Sequence, residues 1–124
     1  MDPPGRSEAT FAPSIDQVVA ARHFVSRVVA DAGLSHTIHD VALATGELAA
    51  NAAEHAGTPF AVVVLLEGCI RIEVSDGSPA MPFKPDVDEY AERGRGIALI
   101  ELVSTRWGVD RTAAGKRVWA EISY

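Results

Sequence analysis

A chain of 124 residues has the length of one domain, enough for a single hydrophobic core and not for two. Its 48% hydrophobic and 23% charged residues exclude a wholly disordered chain. With 17 Asp+Glu against 11 Lys+Arg the formal charge is −6, which argues against a nucleic-acid-binding domain, because such domains set positive charge against phosphate. A lone cysteine, Cys69, has no intramolecular disulfide partner and fits a reducing, cytoplasmic setting. The opening residues Met1 to Arg6 are polar, with no basic stretch leading into an apolar core, and read as a chain without a secretion signal. No apolar run approaches the ~20 residues that span a bilayer.

Residues 1–12, with Pro3 and Pro4 and few apolar side chains, read as a flexible tail, Phe11 being the candidate anchor of a short edge strand. The domain proper is expected over residues 13–124. Ser14 suits an N-cap, with Gln17 completing a capping box. Ile15, Val18, Val19, Phe24, Val25, Val28 and Val29 then recur at helical spacing, and Gly33 follows as a stop. A second helical pattern runs from about Thr37 to Ala56, ended by Gly57 and Pro59. Phe60 to Leu66 is a β-branched apolar run, and beyond the turn Glu67-Gly68 the residues Ile70, Ile72 and Val74 alternate with Arg71, Glu73 and Ser75. So short a link predicts an antiparallel hairpin.

No periodicity survives in residues 76–93, which hold Pro79, Pro82 and Pro85; long loops of this kind are often functional. Gly94-Arg95-Gly96 opens a third helix, and Arg106 to Asp110 and Lys116 to Ser123 read as closing strands. The order helix, helix, strand, strand, loop, helix, strand, strand predicts an α+β two-layer sandwich, with helices on one face of a mostly antiparallel sheet.

Three segments carry candidate chemistry. Glu47, Asn51 and His55 are spaced by four on the second helix and share a face. That is commonly just a solvated face, but a carboxylate there can act as a base and an amide oxygen can bind a hard cation such as Mg²⁺. Asp76-Gly77, at a strand end, is either a turn or a carboxylate placed to accept a hydrogen bond from an exocyclic amine. Gly94-Arg95-Gly96, before a helix, lets backbone N–H groups approach a phosphate. A zinc site is disfavoured, since one cysteine and scattered histidines give no ligand spacing. Trp107 and Trp119 read as packing residues under the sheet.

Taken in order, the E-x-x-x-N helix, the hairpin ending in Asp-Gly, the proline-rich segment and the G-x-G helix start resemble the GHKL (Bergerat-type) ATP-binding fold. Within it, Ala21 to Phe24, Glu47 to Ala56, Gly94 to Ile100 and Gly115 to Trp119 resemble the RsbW-like anti-sigma-factor serine/threonine kinases. The resemblance implies ATP and Mg²⁺ as cofactors. Glu47 would be the catalytic carboxylate, Asn51 the Mg²⁺ ligand, and Asp76 the acceptor of the adenine amine. Gly94, Arg95 and Gly96 would lie at the phosphates beneath an ATP lid at about 79–93. It also implies a cytoplasmic kinase that phosphorylates a STAS-domain anti-anti-sigma partner and sequesters a sigma factor, with a homodimer as a common form and neither nucleic acid nor membrane as partner. Two positions depart from the usual pattern: Ser78 stands where the first glycine box has a second glycine, and Lys116-Arg117 where many relatives have a threonine. They keep open the alternative of a catalytically weak or inactive binding module that regulates transcription through protein contacts.

Overall fold

A computed structural model describes residues 5–78 and 97–124. Apolar residues at helical spacing place Val18, Ala21, Val25 and Val29 on one buried stripe of α1 (Ile15–Asp31). Gly33, at φ +79°, supplies the left-handed residue that closes this helix. A 3₁₀ turn (Ser35–Thr37) leads into α2 (Ile38–Asn51), whose buried stripe is Val41, Ala44, Thr45, Leu48 and Ala49. The Thr45 hydroxyl sits inside the core because it donates to the Val41 carbonyl at 2.6 Å.

The strands form a five-stranded sheet in the order β1-β2-β3-β5-β4, with every neighbouring pair antiparallel. They are β1 (Arg6–Phe11), β2 (Phe60–Leu66), β3 (Ile70–Asp76), β4 (Arg106–Arg111) and β5 (Lys116–Ile122). Helical residues 97–103, called α3, lead to β4 at the edge, and β5 returns between β4 and β3. Helices α1 and α2 pack on each other; α2 lies on β3 and β5, and α1 on β1 and β2. Ile70, Ile72, Val74, Val118, Ala120 and Ile122 face this layer at 2% exposure or less, and α3 adds Ile100. The expected α+β two-layer sandwich is the fold. Among the described residues no helix is long and apolar enough to cross a membrane.

Several local expectations are corrected. Half of the predicted flexible tail is strand: Arg6 to Phe11 pair with Leu65 to Phe60. Phe11 holds it, its ring 5.5 Å from that of Phe60 and 6.2 Å from that of Phe24. Ser14 precedes α1 but makes no side-chain cap; the Gln17 carbonyl oxygen instead accepts from the Ala12 N–H at 3.4 Å. Trp107 packs against the core, whereas Trp119 lies on the opposite face of the sheet. Strand alternation forces this, because Val118 and Ala120 take the inner positions of β5. There the indole sits 4.1 Å from the Arg71 guanidinium and covers Gly108, where a Cβ would come within 2.7 Å of the ring. Arg71 also pairs with Glu73 at 2.8 Å and Glu121 at 3.0 Å.

Because Ile72 is fully buried in the central strand, Ile72→Ala is expected to cost about 2–5 kcal/mol, the usual range for emptying such a site. Urea unfolding checks this, with a lower midpoint at an unchanged m-value as the expected outcome.

Candidate functional site at one end of the sheet

Four chain segments converge on one end of the sheet. The regular α-helix stops at Asn51, earlier than the pattern to Ala56 predicted, and continues as a π turn (Ala52–Ala56). The turn packs against β3, and after Gly57 to Pro59 the chain enters β2 at Phe60. Phe60 is the register partner of Asp76, and Asp76 is the partner of Lys116. The end of α2, the start of β2, the end of β3 and the start of β5 therefore share this end. A cross-link fastens them: the Gly77 N–H donates to the Thr58 hydroxyl at 3.0 Å.

Glu47 and Asn51 project one helical turn apart at the border of the buried stripe of α2, and both are half-buried. Burial pushes the Glu47 carboxyl above its ordinary range, and the nearby Glu54 carboxylate pushes it the same way. Such a group is a better proton acceptor than a freely solvated glutamate. Among the described residues no group of three or more His, Cys, Asp or Glu could hold a metal. A single amide oxygen nonetheless suits Mg²⁺, which is commonly held by one or two protein oxygens together with substrate phosphates and waters. By that donor chemistry Asn51 is the residue that would hold it.

Asp76 is bound internally. Lys116 Nζ lies 3.0 Å from each carboxylate oxygen, and the two side chains are 1% and 2% exposed. The Ser78 N–H donates to Oδ1 at 2.8 Å, closing the turn after β3. Gly115 lets the β4–β5 turn lie against this corner: a Cβ there would come within 2.2 Å of the Asp76 carbonyl oxygen. Sequence reasoning noticed Lys116 as a departure from a family pattern but missed it as the partner of Asp76. Strand register was the signal, since pairing β3 with β5 sets the last residue of one opposite the first of the other.

Of the predicted site residues, the fold brings Glu47, Asn51 and Asp76 to the same end. Gly94, Arg95, Gly96 and the lid at 79–93 lie outside the described residues, as does the side chain of His55. An open groove of about 310 Å³, lined by Ala20, His23, Phe24 and Arg27 of α1, involves none of the predicted site residues.

Removing one partner of a buried ion pair strands the other, whereas replacing both with apolar groups is often neutral. Asp76→Ala is accordingly expected to lose about 3–5 kcal/mol, and the double variant Asp76→Ala/Lys116→Met to regain most of it; chemical denaturation of the two variants measures the difference.

Comparison with curated proteins finds no match. A family model described as histidine kinase-like ATPase domain matches residues 11–122, from the last residue of β1 to the last of β5. With its antiparallel sheet, its helical layer and the order of its motifs, the chain belongs to the histidine kinase-like ATPase domain family, within the GHKL superfamily.

Proposed function

We propose that this chain is an ATP-dependent serine/threonine protein kinase of the anti-sigma-factor type, which phosphorylates a STAS-domain anti-anti-sigma protein and sequesters a sigma factor. The observation that supports it is the gathering of Glu47, Asn51 and Asp76 at one end of a chain matched by the ATPase family model. In this reading Glu47 accepts the proton of a serine or threonine hydroxyl. The hydroxyl oxygen forms its bond to the γ-phosphorus as the bond to the β–γ bridging oxygen breaks, and ADP leaves. Asn51 would hold Mg²⁺, which when bound neutralises charge on the phosphates. The protein's own part is orientation and a proton acceptor of raised basicity.

Incubation with labelled ATP, Mg²⁺ and the STAS partner tests the proposal. Wild type is expected to transfer phosphate, and Glu47→Ala to lower the rate about 10²–10⁴-fold, the usual contribution of a positioned base. Absence of transfer by wild type, or undiminished transfer by the variant, would defeat it. The pH dependence has a definite sign. Glu47 works only when ionised, so activity falls as pH drops through its raised pKa. Glu54→Gln removes a like charge and is expected to move that acid limb to lower pH in the same assay.

A second reading draws support from the Asp76–Lys116 pair: a binding module that uses the same end of the fold to hold a sigma factor or STAS protein without catalysis. It expects partner affinity, measured by calorimetry, to survive Asn51→Ala. Loss of binding in that variant would count against it.

A further inference from the structure

The carboxylate that would read a purine base is already engaged. Asp76 closes β3 and Lys116 opens β5, directly opposite each other across the ladder, so both side chains enter the sheet–helix interface on one face. An ionised carboxylate offers about four acceptor directions. Three are used here: Oδ1 accepts from the Ser78 N–H at 2.8 Å and from Lys116 Nζ at 3.0 Å, and Oδ2 lies 3.0 Å from the same ammonium. Nζ also lies 3.5 Å from the Ser78 carbonyl oxygen, so the turn after β3 closes around it.

A neutral exocyclic amine reaching this corner finds one acceptor direction left, on Oδ2, of a carboxylate whose charge the ammonium already balances; to gain more it must compete with a donor that bonds a carboxylate about twice as strongly. Displacing the ammonium would strand a cation on a side chain 1% exposed. Among the described residues Lys116 has no second carboxylate to turn to.

We infer that Lys116 is a specificity-determining residue: by holding Asp76, it removes the preference for a 6-amino purine and leaves a triphosphate site that tolerates the base. This rests on reading this end of the sheet as a nucleotide site. Threonine at position 116, which has no cation, returns the carboxylate to the ligand and with it the amine preference.

The experiment is calorimetric titration of the full chain with ATP and with purine riboside triphosphate, which lacks only the 6-amino group, in the presence of Mg²⁺. In wild type the two dissociation constants are expected to agree within about threefold, and in Lys116→Thr ATP is expected to bind about tenfold or more tightly than the analogue, the discrimination due to a charge-assisted hydrogen bond. Lys116→Gln, whose neutral amide can still donate to the buried carboxylate but no longer competes as a cation, serves the same purpose if the threonine variant does not fold. A wild-type preference for ATP as large as the variant's, or equal ratios near one in both, overturns the role of Lys116 while leaving the nucleotide site standing. No binding of either nucleotide to either protein removes the site itself, and the inference with it.

Discussion

The register that sets Phe60, Asp76 and Lys116 side by side across three strands is the constraint on which the candidate site depends. Had β5 paired with β3 one residue out of step, the Lys116 side chain would point to the other face of the sheet and Asp76 would be an uncompensated buried charge. The same register places Thr58, just before β2, within reach of the Gly77 N–H. It also presses Gly115 against the Asp76 backbone. Sheet pairing thus brings the carboxylate to the end of the molecule where α2 delivers Glu47 and Asn51.

The two carboxylates at this end meet different surroundings. Asp76 is nearly inaccessible, its charge balanced at 3.0 Å by an ammonium as buried as itself. Glu47 is half-buried, has no cation offsetting it among the causes of its shift, and stands near Glu54. One group is therefore held as a structural anion, while the other is left more basic than usual. A phosphoryl-transfer site needs a proton acceptor of the second kind. A carboxylate of the first kind contributes to ligand recognition only if its internal partner can be exchanged.

Much of this architecture was legible in the sequence because it follows from short-range periodicity. The apolar run Phe60 to Leu66 and the alternation from Ile70 onward correspond to β2 and β3 with the expected turn between them, and Gly33 stops α1 where a left-handed residue was anticipated. What was missed depends on long-range partners. Phe11 reads from sequence as the anchor of a short edge strand, but residues 6–10 have no strong strand pattern of their own and are strand because β2 offers an edge and Phe60 a ring for Phe11 to lie on. The π turn after Asn51 packs against β3, a contact that the helical periodicity up to Ala56 does not encode. Trp119 reads from sequence as packing under the sheet, and the face on which it packs follows from where β5 places Val118 and Ala120. The Asp76–Lys116 pair, 40 residues apart in sequence, becomes visible only once the strand order is known.

The central claim, that this end of the sheet receives a nucleoside triphosphate, is tested most directly by following backbone amide NMR shifts as ATP and Mg²⁺ are added. The account predicts that the perturbed amides cluster at Asn51, Thr58, Gly77, Ser78 and Gly115. Shifts confined to the α1 groove around Ala20, His23, Phe24 and Arg27, or no shifts at all, would contradict it.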